Sequence, residues 1–316
     1  MSLRRILPIG LLAVIALAAP AAAQANFTVA VGDQNAGMFA QPRFQALNIK
    51  KVRYIVPWDW YKDAGQVASV NAYMGAAHAA GKDVLVSFTA HSGCYVNGRY
   101  SKSKVCRAPS ASAYKSAFLR FDKQFNWVKT YSPWNEVNHV SQPTAKSPRT
   151  AARYYNVVRR YAHSHKFKVV AADVLDSSNV ASYLRSFLRA ANGSPRLWGV
   201  HNYEDVNRKR STGTRAVLRT VPGEVWMTET GGILQFAPNF PRSESRAASR
   251  ASYTFSLASK YSKRRSGNRS KITRLYYYQY TGADPSARFD AGLVNPDGTP
   301  RQAYSTFLSK AKHRSR

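Results

Sequence analysis

Short runs rich in β-branched and aromatic residues alternate along the chain with longer stretches whose apolar residues recur every three or four positions. Eight strand-like runs are predicted: Thr28–Gly32, Val52–Pro57, Asp83–Thr89, Tyr131–Asn135, Lys168–Ala172, Leu197–Tyr203, Glu224–Glu229 and Arg274–Tyr280. Between them Val67–Ala80, Ala111–Phe125, Thr150–His163, Val180–Ala191 and Glu244–Tyr261 carry the helical period. Ser147-Pro148 reads as an N-cap followed by proline at the first helical position, and Gly81 reads as a helix stop. Strands alternating with helices predict a parallel sheet. Eight such units in about 290 residues match an α/β fold of one domain, the (β/α)8 or TIM barrel. An open doubly wound sheet is the competing architecture. It is expected to open on GxGxxG, whereas the first run here leads into Gly32-Asp-Gln-Asn-Ala-Gly37.

Ahead of the first run, Arg4 and Arg5 precede an apolar run from Ile6 to about Ala19, followed by small residues at Ala21, Ala22, Ala23 and Ala25. This pattern predicts a signal peptide over residues 1–25, a mature domain over 26–316 and an extracellular location. A membrane anchor competes with it, but the run falls short of the ~20 residues a span needs, and no later segment is apolar enough to cross a bilayer. Cys94 and Cys106 lie in one Gly/Ser/Lys-rich stretch, and in an exported chain a local disulfide between them is the simplest expectation.

At 44% hydrophobic and 12% aromatic residues, the chain can bury a large core, which excludes a disordered polymer. Its charge balance is lopsided: 47 Lys and Arg against 16 Asp and Glu give a net charge of +31. Such a chain suits anionic partners, among them cell-envelope polymers, acidic polysaccharides and nucleic acid. No helix-turn-helix, zinc-finger or RRM-like signature is present, so no specific nucleic-acid partner is expected. The basic residues are spread widely, dense only over Arg242–Arg274 and in the tail Lys310–Arg316, which also fits a plain solvated surface. The chain is expected to be a monomer.

In a barrel of this kind the active site forms at the C-terminal ends of the strands. Those ends carry Gly32-Asp33, Trp58-Asp59, His91-Ser92, Trp134-Asn135-Glu136, Asp173, His201-Asn202-Tyr203, Glu229 and Tyr278-Gln279-Tyr280. Acids, amides, histidines and large aromatics on one rim are what a carbohydrate cleft requires: rings stack on sugar faces, and amides and carboxylates bond hydroxyls. The chain's glutamates are only Glu136, Glu204, Glu224, Glu229 and Glu244, and two of them end the fourth and seventh runs. Cleavage of a glycosidic bond needs two such carboxyls, one to protonate the leaving oxygen and one to attack or stabilise the sugar cation. No HxxxH, HExxH, P-loop or GxSxG occurs, and Asp284, Asp290 and Asp297 lack EF-hand spacing, so neither metal nor cofactor is expected. Asp173 is expected to cap the following helix, Trp226 to be core, and Asp33 and His139 to bond either substrate or loop.

The run Tyr131-Ser-Pro-Trp-Asn135-Glu136-Val-Asn resembles the Asn-Glu motif that ends strand four in clan A glycoside hydrolases, such as families 5 and 39. Val225-Trp-Met-Thr-Glu229-Thr-Gly-Gly resembles their strand-seven nucleophile segment. His201-Asn202-Tyr203 resembles the His-x-Tyr that ends strand six, and Gly292–Tyr304 the stretch after strand eight. The resemblance implies a retaining glycosidase with Glu136 as acid/base, Glu229 as nucleophile and a carbohydrate as its partner. It further implies that Asn135 bonds the sugar 2-hydroxyl, that Tyr203 bonds the nucleophile beside His201, and that Arg53 keeps it ionised. Trp58, Asp59, His91 and Trp134 are expected to line subsites. Many members end strand eight on a tryptophan, and here Tyr278 or Tyr280 is expected in its place. The acid role requires a Glu136 pKa raised by burial and a neighbouring like charge. Competing with this is a non-catalytic carbohydrate- or polyanion-binding barrel held to the anionic cell envelope.

Overall fold

The computed structural model describes residues 27–91, 106–312 and 314, with the backbone of 95–96 and 99–100. The predicted signal peptide and Cys94 lie outside the described residues; Cys106 is buried.

The strands are β1 (Thr28–Gly32), β2 (Lys51–Pro57), β3 (Asp83–Thr89), β4 (Thr130–Ser132), β5 in two segments (Lys168–Val169 and Asp173–Leu175), β6 (Leu197–His201), β7 (Gly223–Thr230) and β8 (Ser270–Tyr278). After them come α1 (Pro42–Ala46), α2 (Ala64–Ala79), α3 (Ala111–Gln124), α4 (Pro148–Ala162), α5 (Val180–Ala190), α6 (Thr212–Thr220), α7 (Glu244–Lys260) and α8 (Gln302–Ala311). All ladders between these strands are parallel, and β1 pairs with both β2 and β8. Closure happens at β5. Its first segment pairs with β4, and its second with β6. Between them Val170 N–H still donates to Tyr131 O, while Ala171 N–H already donates to Leu197 O. The strand changes neighbours without leaving the sheet, and the architecture is a closed (β/α)8 barrel.

The helices form where the apolar period predicts. In α5, Val180, Tyr183, Leu184 and Phe187 face inward at i, i+3, i+4 and i+7, each large side chain contributing about 1.5–3 kcal/mol by burial. Ser147 caps α4 by accepting from Thr150 N–H, with Pro148 in the first turn. Gly81, at φ +62°, ends the turn after α2 at a position where a side chain is strained.

Two apolar layers follow. The larger lies between strands and helices; the smaller fills the barrel's lower interior with Ala30, Leu85, Val170, Trp226 and Tyr276. Above this plug the inward positions turn polar: Arg53, Ser87, Ser132, Asp173, His201 and Glu229 are all buried. Among the described residues no helix is long and apolar enough to cross a membrane.

Candidate active site

The polar layer is organised by Arg53. Its guanidinium is buried, and Nη1 donates to Glu229 Oε2 at 2.9 Å. Nη2 donates to Asn135 Oδ1 at 2.5 Å and to Asp173 Oδ2 at 3.2 Å, and lies 3.3 Å from His201 Nε2. Nε donates to Ser87 Oγ at 3.1 Å. Strand alternation puts Arg53 on the barrel axis, and one rigid fork from β2 thereby fixes groups from β3, β5, β6 and β7 together with Asn135.

Glu229 sits where β7 loses register with both neighbours, between Trp226 and Glu229 against β6 and between Met227 and Thr230 against β8. Such irregularities re-aim a side chain, and they recur beside active sites. Tyr203 Oη donates to Glu229 Oε1 at 3.4 Å and to Tyr278 O at 3.2 Å. Burial, and next the Glu229 charge, push the Tyr203 phenol well above its ordinary pKa, so it stays a donor.

Glu136 leaves the end of β4 with φ +48°, in the left-handed region. A non-glycine residue held there costs of order 1–3 kcal/mol, a form of strain that clusters at functional positions. The turn carries its carboxylate to His201, whose Nδ1 lies 3.1 Å from Glu136 Oε1 and 3.4 Å from Glu229 Oε2. One ring nitrogen thus bridges both carboxylates, and donor atoms of Glu136, His201 and Glu229 lie within 4.8 Å of one another. These three could in geometry hold a metal ion, but the Arg53 guanidinium already lies against Glu229 and would repel it.

Burial alone would raise the Glu136 carboxyl. The His201 hydrogen bond and the charges of His201, His139 and Arg53 outweigh it and hold the pKa below the ordinary value. The expectation of a raised value is thereby corrected: the like-charged Glu229 is neutralised by Arg53, and a histidine stands between. For His201, burial lowers the pKa, and the Glu229 charge and the Glu136 hydrogen bond overcome it, leaving a net rise.

The mouth opens into a cavity of about 470 Å³ lined by Glu136, His139, Tyr203, Glu229 and Tyr278, with a wall of Ile233, Phe236, Arg288 and Phe289. The pairing of Gln235–Phe236 with Phe289–Asp290 builds that wall. A second cavity of about 640 Å³, sharing Leu175 and Tyr203, runs on past Asp176 and Glu204.

Several expected residues stand elsewhere. Trp134 is buried against Tyr154, with Nε1 donating to Gln142 Oε1 at 3.0 Å, and is core rather than a sugar platform. Tyr280 is also buried, edge-on to Phe44 with its hydroxyl on Gln41 Oε1 at 3.0 Å; Tyr278 alone of the two faces the cleft. Asp173 caps no helix: its carboxylate is the barrel-interior partner of Arg53 and Ser87. Asp33 accepts from the N–H groups of Gln34, Asn35 and Thr281, a loop role. Trp58, Asp59 and His91 share the rim but not the cavity around the two glutamates. His91 Nδ1 and Asp59 Oδ1 lie 3.5 Å apart, and Lys62 lies over the Trp58 ring. The Ile233, Phe236, Arg288 and Phe289 wall had no signal in the sequence, since it joins two loops some fifty positions apart.

A family model described as "Glycosyl hydrolase catalytic core" matches residues 94–307. Among solved structures the chain is similar to GH5_18 from Streptomyces cattleya in complex with GlcNAc, at 15% identity and a TM-score of 0.60 over 90% of this chain and 80% of that one. It is similar to an endo-beta-1,4-glucanase from Xanthomonas axonopodis pv. citri carrying a triple mutation, at 14% identity and 0.60 over 90% and 99%. It is also similar to a family 39 glycoside hydrolase from Bacteroides cellulosilyticus, at 13% and 0.55 over 90% and 63%. At these identities the likeness is one of fold. No curated protein matches the chain.

Proposed function

The chain belongs to the glycosyl hydrolase catalytic core family, and from that premise we propose that it is a secreted, retaining glycosidase with Glu229 as nucleophile and Glu136 as acid/base. One observation carries this reading: two carboxylates from β7 and the end of β4 share one imidazole nitrogen, with donor atoms within 4.8 Å. Retaining enzymes place the pair ~5–5.5 Å apart, whereas inverting enzymes need ~6.5–9.5 Å to admit a water between them.

In the first step a Glu229 oxygen bonds the anomeric carbon, the glycosidic C–O bond breaks, and Glu136 gives its proton to the departing oxygen. In the second, Glu136 takes a proton from water, the water oxygen bonds the anomeric carbon, and Glu229 leaves. Arg53 and Tyr203 donate hydrogen bonds to Glu229 and aim it. His201 supports the proton account. As the Glu229 charge passes into the forming glycosyl bond, the imidazole's hold on a proton weakens, so the proton that Glu136 hands to the departing oxygen is drawn from His201 Nδ1, 3.1 Å from Glu136 Oε1, and in the second step the proton that Glu136 takes from water returns to His201.

Glu229→Gln, tested on a panel of aryl glycosides, is expected to abolish turnover of whichever sugar the wild type cleaves. Retention of full rate would overturn the assignment, and release of the opposite anomer, followed by NMR, would overturn the stereochemistry. Secretion is tested separately: protein from a culture supernatant should begin near Gln24 or Asn26.

A further inference from the structure

The opposite face of the barrel gathers basic side chains around two grooves. Beside the first residues of β5 to β8, two grooves of about 590 and 490 Å³ adjoin, sharing Arg196, Gly223 and Lys271. The ladders set Glu224 level with Leu197 on one side and Lys271 on the other, on strands ~4.7–4.9 Å apart. Lys168, Arg196, Lys263, Arg264 and Lys271 are exposed there, and none has an ion pair or a side-chain hydrogen bond among the described residues. The acid in these grooves, Glu224, is engaged by the Thr273 hydroxyl at 2.8 Å.

The helices run back against the strands, so their C-terminal ends point to this same face. Each of α1 to α8 has a basic residue in its last turn, from Arg43 to Lys310. A cation at a helix C-terminus complements the macrodipole, which is reason enough for those. It does not account for Lys168, Arg196 and Lys271, which stand at strand starts and offer guanidinium and ammonium groups to solvent. Guanidinium forks match carboxylates in two parallel hydrogen bonds.

We propose that this face is a second binding site, remote from the catalytic mouth, for a linear acidic polysaccharide bearing carboxylates along its length. Nucleic acid fits it less well. Single strands bind on exposed aromatic faces worth ~1–3 kcal/mol per base, and the one ring lining these grooves, Trp226, is 3% exposed and covered by Arg274 at 3.7 Å. The site does not depend on which residues catalyse, so its failure and the failure of the catalytic assignment are read in different assays.

The test is equilibrium binding of the full chain to polygalacturonate across a salt series. If the five free cations engage, a slope of about 0.7 per contact weakens binding roughly 100-fold between 50 and 200 mM salt. Arg196→Glu/Lys271→Glu should lose at least about tenfold in affinity and lower the slope by about 1.4. Its hydrolysis of a neutral aryl glycoside should be unchanged, which also reports folding. Arg196→Gln/Lys271→Gln should lose less. Lys115→Glu/Arg153→Glu, the same charge change on exposed positions of α3 and α4, should bind as the wild type does. The proposal is overturned if this control loses as much as the groove variant, if the groove variant binds like wild type, or if single-stranded DNA of equal charge binds more tightly than polygalacturonate.

Discussion

Arg53→Lys separates the position of a cation from its charge. The guanidinium reaches Glu229, Asn135, Asp173 and Ser87 through three nitrogens at 2.5–3.2 Å. An ammonium carries the same charge on one atom and cannot span Ser87 Oγ and Glu229 Oε2 together. At least two buried acceptors therefore lose their donor, at about 1–3 kcal/mol each. The expected loss is about 2–6 kcal/mol, and at ~2–4 °C per kcal/mol the melting temperature should fall by roughly 4–24 °C. Glu229 keeps a positive neighbour but loses its fixed direction, and a misplacement of ~1 Å costs on the order of 100-fold in kcat. Circular dichroism melts give the first number, and steady-state hydrolysis of an aryl glycoside the second. A variant within about threefold of wild-type kcat and with an unchanged melt would refute the reasoning, because the cation would then act as charge alone.

Glu136→Gln should slow turnover by ~10²–10⁴. With a good leaving group it should show a rapid burst of aryl alcohol, since the glycosyl ester still forms but its hydrolysis lacks a base; a linear time course counts against the acid/base role. Asp176 is pushed up to about 7 from 3.8, first by burial and then by the charges of Asp205 and Glu204, against the Asp205 N–H it bonds. Its protonated form favours the fold, so this contribution is complete below pH 3.8 and is lost as pH rises through about 7. Asp176→Asn should therefore gain on wild type in urea midpoint between pH 5 and pH 8; a constant difference would contradict the assignment. Gly199→Ala would put a methyl carbon 1.8 Å from Asp173 Oδ1 and 2.6 Å from Thr228 Oγ1, inside a layer pinned by Arg53. It should cost about 1–3 kcal/mol or more, read from the same melts.

The barrel was legible because its two kinds of element alternate in the sequence. Short runs rich in β-branched and aromatic residues marked the strands, and i, i+3, i+4, i+7 spacing marked helices such as α5. What failed were strand ends. The fourth run was expected to continue to Asn135, but Pro133 cannot extend the ladder and β4 stops at Ser132. The fifth was expected to end at Ala172, yet it resumes at Asp173 against a different neighbour. That break is what turned Asp173 from a supposed cap into the partner of Arg53.

The same limit explains the site. Side chains alternate between barrel and helices only while the ladder lasts. On β8 the alternation of Arg274, Tyr276 and Tyr278 points all three inward, and the same alternation predicts Tyr280 inward as well; the strand ends at Tyr278, and Tyr280 turns under α1 onto Phe44. Trp134 follows Pro133 and is lost to the core for a like reason. Arg53, His201 and Glu229 lie on ladders, and there position along the run was enough to bring them together. Glu136 lies four residues past the end of β4, and its carboxylate meets His201 because the backbone turns into the left-handed region at that residue. Residue types at strand ends therefore foretell the reaction, while the groups that tune it depend on turns the period does not encode. The cleft wall of Phe236, Arg288 and Phe289 stands farther still from any ladder of the barrel. Changing it should alter which sugar is accepted, measured as kcat/KM ratios across glycosides, while leaving the Glu136–His201–Glu229 geometry and the anomeric outcome as they are.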